Sequence, residues 1–159
     1  MNTLMRIGLC GTASAALILG VAPLASAEIV IGDGMAGVSL GMTKAQVKSV
    51  LGKPKKVEKG KNDFGKYQTL FYKGKVRITL TDNSVSSTWT RGTQEKTDKG
   101  VGVGSSKKQV KNKVPGVKCQ SFSGSVSCHV GKFKAGQIVT DFQMDNGHVK
   151  TVTVGVVID

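Results

Sequence analysis

The sequence predicts an α+β fold of two tandem repeats, each a short helix packed on an antiparallel meander of about three strands. Three observations carry that expectation. Residues 37–48, GVSLGMTKAQVK, and residues 100–111, GVGVGSSKKQVK, agree at seven of twelve positions, sixty-three residues apart; chance would give roughly one match. After each copy the apolar spacing changes from helical to alternating. Turn residues recur at the same offset, Asp82-Asn83 with Asp145-Asn146 and Gly92 with Gly155.

The chain starts with a segment to be set apart from the fold. Arg6 precedes an apolar run from Ile7 to Leu24 and the small-residue triplet Ala25-Ser26-Ala27. That is the order of a secretory signal peptide, so residues 1–27 are expected to be cleaved after Ala27 and the product exported. Gly8, Gly11, Gly20 and Pro23 interrupt the run and no stop-transfer charge follows it, which argues against a membrane anchor. Leu9 is too large for the position before a lipidated Cys10. Residues 28–36 then form an N-terminal segment ahead of the first repeat, 37–92.

Each repeat opens on a helix. Thr43 with Gln46, and Ser106 with Gln109, fit the capping box, in which a hydroxyl and an amide satisfy free N–H groups at a helix start. Val47, Val50 and Leu51 then share one helical face, as do Val110 and Val114. Gly52 and Pro54 stop the first helix, and Pro115 and Gly116 the second. Val38 and Leu40, or Val101 and Val103, are expected to pin each helix entry to the core.

Strands follow. Lys55 to Asn62 reads as a lysine-rich loop, Gln68 to Lys73 as a strand, and Val76, Ile78 and Leu80 alternate with Arg77, Thr79 and Thr81. Val85 to Thr90 completes the first meander. On this pattern Arg77, Thr79, Thr81, Tyr67, Thr69, Phe71, Ser86, Thr88 and Thr90 share a face away from the helix. Residues 93–99 are polar, aperiodic and read as a linker. In the second repeat, 100–159, the strands are Val126 to Val130, Ile138 to Met144 and Val149 to Ile158. The turn at Asp145-Asn146-Gly147 is a strong hairpin signal. A sheet with helices on one side leaves its other side open, and two such faces joined would make a long binding surface.

Charge narrows the partners. The chain has 23 Lys+Arg and 10 Asp+Glu; without Arg6, 22 basic residues remain and the net charge is +12. This favours acidic, extracellular or envelope-located protein partners, or anionic envelope polymers. Export and sparse aromatics argue against nucleic acid. Cys119 and Cys128, nine apart in an exported chain, read as one disulfide. A metal site would need His129, beside Cys128, and His148; adjacent residues rarely ligate together, so no metal and no cofactor is expected.

No catalytic set stands out. His129 or His148 with Asp145 and a serine lacks a nucleophile elbow, and GVGVG lacks a preceding strand and phosphate-binding lysine. The chain therefore reads as a non-enzyme. The contact candidates are Asp63, Phe64 and Tyr67 in the loop NDFGKY, Arg77 on the open face, Trp89, and Phe133 in GKFKAG. Packing on the helix is the competing role for Trp89.

The pattern G-M-T-K-x-Q-V-x-x-x-L-G-x-P at residues 41–54 resembles the helix start of the secreted β-lactamase-inhibitory protein family. The small lipoprotein of the outer-membrane β-barrel assembly machine has a similar motif. The tandem arrangement, the leader and the cysteine pair after the second helix are closer to the inhibitors, although the first repeat lacks their cysteine pair. The resemblance implies open sheet faces forming a concave saddle on an enzyme, with two loops entering its active site. Asp63 with Phe64 and Tyr67 is the nearest match to the first loop, and Phe133 to the second. The implied function is binding or inhibiting a β-lactamase or related envelope enzyme; the alternative is an envelope-associated structural protein held by its charge.

Overall fold

The computed structural model describes residues 28–122 and 124–158. The expected leader at 1–27 lies outside the described residues. Three two-residue strands, β1 (Ile29–Val30), β2 (Gly34–Met35) and β3 (Val38–Ser39), form a small antiparallel sheet. Helix α1 (Lys44–Leu51) follows, then β4 (Lys56–Asn62), β5 (Gly65–Phe71), a 3-10 turn (Lys73–Lys75), β6 (Val76–Thr81) and β7 (Ser84–Thr90). After helix α2 (Lys107–Lys113) come β8 (Lys118–Phe122), β9 (Ser125–Val130), β10 (Ile138–Asp145) and β11 (His148–Val156).

Both helices start at complete capping boxes. Thr43 N donates to Gln46 Oε1 at 2.8 Å, and Thr43 Oγ1 accepts from Gln46 N at 3.4 Å. Ser106 N donates to Gln109 Oε1 at 2.8 Å, and Ser106 Oγ accepts from Gln109 N at 3.2 Å. Two of the unpaired N–H groups at each helix start are thereby satisfied. Gly52 ends α1 at φ 75°, where a side chain would be strained. Val114 caps α2 just before Pro115, which cannot donate into a further turn.

The expected architecture, two α+β repeats with about three strands each, is corrected. The fold is mostly β, 50% strand against 14% helix, and eight strands form a single antiparallel sheet in the order β4-β5-β6-β7-β11-β10-β9-β8. Two causes account for the difference. Lys55 to Asn62, expected as a loop, supplies the edge strand β4, and Lys118 to Phe122 supplies the opposite edge strand β8. Neither shows apolar alternation. β4 is exposed on nearly every residue, so burial leaves no imprint on its sequence. The second cause is that β7 pairs with β11, with Trp89 opposite Thr153 and Thr88 opposite Val154. Unpaired backbone groups on both strands meet there, and two meanders become one sheet.

One face of this sheet carries the core. A row of opposed residues runs Cys119, Cys128, Phe142, Val152, Thr90, Val76 across β8, β9, β10, β11, β7 and β6. Val47 of α1 packs with Leu70, Val76, Ile78, Leu80 and Val85. Val110 and Val114 pack with Cys128, Phe142, Val152 and Val154, joined by Ile29 and Met35 of the small sheet. The small sheet lies against β7 and β11, over the seam between the meanders. Cys119 and Cys128 are bonded directly across the β8–β9 pair. Residues 93–99 are tied to the body: Glu95 and Thr97 are buried, and Ile29 N donates to Lys96 O at 2.7 Å.

A bulge decides what the other face shows. Thr79 opposes Ser87 but Leu80 opposes Val85, so Ser86 is an extra residue on β7. Side chains alternate with period two, and one extra residue reverses which face each later one takes. Thr88 and Thr90, expected on the outer face, are instead fully buried on the inner one. There Thr88 Oγ1 donates to Val154 O at 3.4 Å and Thr90 Oγ1 to Glu95 Oε2 at 2.7 Å. Trp89 is turned outward, away from the helices.

Candidate functional site

Both helices and the small sheet cover the inner face, so among the described residues the outer face is the open side. A second row of opposed residues spans all eight strands of it: Lys56, Phe71, Arg77, Trp89, Thr153, Asp141, His129, Lys118. Its four residues on β4 to β7 are all basic or aromatic. The other four, Thr153, Asp141, His129 and the basic Lys118, lie on β11, β10, β9 and β8.

Arg77 and Trp89 meet as a pair. The guanidinium carbon lies 4.1 Å from the centre of the Trp89 ring and 5.3 Å from that of Phe71. Lys56 Nζ approaches the far side of the same stretch, 5.7 Å from the Phe71 centre. Cations over aromatic faces attract by about 0.5–1 kcal/mol at exposed sites. Phe71, Tyr72, Lys75, Val76, Arg77, Trp89 and Arg91 line a cleft of about 270 Å³ here.

Phe133 builds the other half of the face. It is 54% exposed, and its ring centre lies 4.7 Å from that of His129, which is only 7% exposed. With Ser87, Asp141, Thr153, Gly155 and Ile158 it lines a shallow groove of about 350 Å³. Under it, Ser127 Oγ donates to Asp141 Oδ1, and Asp141 sits opposite His129. Burial pushes the Asp141 carboxyl above its ordinary value, opposed by the Ser127 hydrogen bond and by His129. Ser127, His129 and Asp141 are the residue types of a hydrolytic triad, joined in the wrong order. A nucleophilic serine must donate to the histidine; this one donates to the aspartate, and His129 Nδ1 has no hydrogen-bond partner.

The remaining sequence candidates lie apart. Asp63 and Phe64 form the tip of the β4–β5 hairpin, where Phe64 N donates to Asn62 Oδ1 at 3.1 Å and the ring is 48% exposed. The Tyr67 ring lies against Gly60 of the facing strand, where any Cβ would collide with it. Tyr67 thus covers a side-chain gap in an edge strand. By strand direction, the β4–β5 tip and the Phe133 loop project from the same end of the sheet. Five strand spacings separate them, on the order of 24 Å. Phe71, Arg91, His129 and Asp141 are not among the contact candidates of the sequence. Alternation around the inward Cys128 and Phe142 is the signal that finds His129 and Asp141.

Among the described residues, no group of three or more His, Cys, Asp or Glu side chains is placed to hold a metal ion. No described helix is long and apolar enough to cross a membrane. No protein-family model matches the chain, and no curated protein matches it. Solved structures share its fold. An extracellular protein containing an SCP domain from Bacillus anthracis superposes with a TM-score of 0.52 at 10% identity, over 97% of this chain and 50% of that one. A cysteine-rich secretory protein from Staphylococcus aureus gives 0.51 at 13% identity, over 79% of this chain and 47% of that one. The chain thus spans about half the length of these structures, and the likeness is one of fold.

Proposed function

We propose that the protein is a secreted, non-catalytic protein-binding module that receives an acidic extracellular or envelope-located protein on its outer sheet face. The observation that carries this reading is the uninterrupted row from Lys56 to Lys118 on the side of the sheet that no helix of the described residues covers. The bulge at Ser86 turns Trp89 into that row, beside Arg77 and Phe71. Trp and Arg are the side chains that most often dominate interface energy. The chain's excess of basic residues complements an acidic surface and speeds encounter. The Ser127–Asp141–His129 order supports a role other than hydrolysis, and the disulfide suits an oxidising compartment. The resemblance at residues 41–54 makes a class A β-lactamase the first partner to try.

Trp89→Ala is expected to weaken that binding by about thirtyfold, the effect of losing an interface anchor of about 2 kcal/mol. Calorimetric titration of the enzyme with both forms at two salt concentrations reads it. Absence of binding by the parent at micromolar concentration removes the β-lactamase as target. One observation favours a second reading: Lys56, Lys59 and Lys61 lie exposed along the edge strand β4, as a protein retained by anionic envelope polymers would present them. That reading predicts binding to such polymers that disappears at high salt and ignores Trp89→Ala.

A further inference from the structure

Twenty of the 22 basic residues after position 27 are lysines, and the two arginines are Arg77 and Arg91. Both line the same cleft, together with Lys75, Phe71 and Trp89. We infer that this cleft is a subsite for a carboxylate carried by an acidic side chain of the protein partner. The inference rests on the outer-face reading above and specifies what one part of that face recognises.

Geometry and chemistry agree on the ligand. Arginine offers a planar fork that meets a carboxylate with two parallel hydrogen bonds, which a lysine cannot do. Arg77 is pre-positioned by Phe71 and Trp89, so little of its freedom remains to be lost on binding. The Arg91 backbone is tied to the turn beside it, where its N–H donates to Lys75 O at 3.3 Å. Lys75 itself adopts φ 65°, in the left-handed region that side chains rarely enter. The chain is brought together behind it at Gly92, where a Cβ would collide with Gly74 O.

The cations have no acid of their own. Among the described residues the ion pairs are Lys56–Glu58, Lys99–Asp98 and Lys150–Asp145. None involves Lys75, Arg77 or Arg91. Glu95, buried beneath the neighbouring turn, is engaged by Thr90 Oγ1 at 2.7 Å and forms no pair with them. Three basic residues therefore line one space, and among the described residues none of them forms an ion pair. At about 270 Å³ the space is below the usual size of a small-molecule pocket, about 300–1,000 Å³. It suits one side chain from a larger partner, with the ring faces holding the Arg77 cation and leaving the carboxylate to the cations.

The test uses a capped hexaglutamate peptide as probe, with inorganic phosphate as the second arm, on full chain labelled with 15N-arginine. Arg77→Ala and Arg91→Ala assign the Nε–H resonances. The peptide is expected to shift both resonances saturably. Arg77→Lys, which keeps the charge and loses the fork, is expected to weaken the peptide about tenfold, the loss of one charged hydrogen bond. Lys59→Ala and Lys61→Ala on β4 should change affinity less than about twofold, as exposed charges do. Equal weakening by Arg77→Lys and by Lys59→Ala overturns the carboxylate cleft and leaves the outer-face reading standing. So does saturation of the same resonances by phosphate at equal or lower concentration. Failure of the peptide to shift either resonance also overturns the cleft. β-Lactamase binding that ignores Trp89→Ala, with the arginine shifts intact, overturns the outer-face reading alone.

Discussion

Replacing Phe142 by alanine is expected to lower the unfolding free energy by about 3–5 kcal/mol. Phe142 is fully buried, and it is the largest of the fully buried side chains. It stands between Cys128 and Val152 in the inner row, beneath α2 and the small sheet, in one cluster with Ile29, Met35, Val110 and Val154. Truncation removes the ring's transfer free energy and leaves a cavity among valines. Valine has little reach, and strands held by ladders on both sides have little room to close in. A domain of this size has about 5–15 kcal/mol in total, so the variant approaches the limit of folding. Urea unfolding followed by circular dichroism reads the change as a lower midpoint with an unchanged slope. A loss below about 1 kcal/mol contradicts the assignment of the inner face as the core.

Removing the disulfide is the second large effect. Cys119→Ala with Cys128→Ala is expected to cost about 2–3 kcal/mol, from the closure of a short loop. The two cysteines are nine residues apart and directly opposed across β8 and β9. β8 is an edge strand with a neighbour on one side only, so the bond ties down the strand with the least other support. Cys128 is fully buried, and alanine there also loses some packing. Amide exchange is expected to accelerate most in β8 and least in β11, which has a neighbour on each side. Uniform acceleration over the sheet contradicts the edge-strand account. Equal midpoints for the oxidised and reduced parent protein contradict the stabilising role itself.

What could be read in the sequence was local. The boxes at Thr43/Gln46 and Ser106/Gln109, the inward valines of both helices and the alternation of Val76, Ile78 and Leu80 rest on neighbours a few residues away. The cysteine pair could be read from its spacing together with the expected leader. What was missed depends on partners far along the chain. β4 is exposed on both sides, so Lys56, Lys59 and Lys61 look like loop residues. Such lysines are also what keeps an edge strand from pairing with another molecule. The β7–β11 pairing depends on register between residues more than sixty apart, and nothing local records it. Ser86 differs little from Ser87, so the bulge leaves no mark, and Thr88 and Thr90 take the face opposite to the expected one. The alternation of Val76, Ile78 and Leu80 puts Arg77 on the outer side, while the cleft needs the turn at Lys73–Lys75 to bring Arg91 beside it.

The central claim is that Trp89 faces outward on the surface that receives the partner. Trp89 is the chain's one tryptophan, so incorporation of 5-fluorotryptophan gives a 19F spectrum with a single line. In the free protein that line is expected to respond to a soluble paramagnetic agent, as an outward ring does. Saturation with an acidic class A β-lactamase is expected to shift it and abolish the response. A line insensitive to the agent in the free protein, or unchanged in a complex shown by calorimetry to have formed, contradicts the claim.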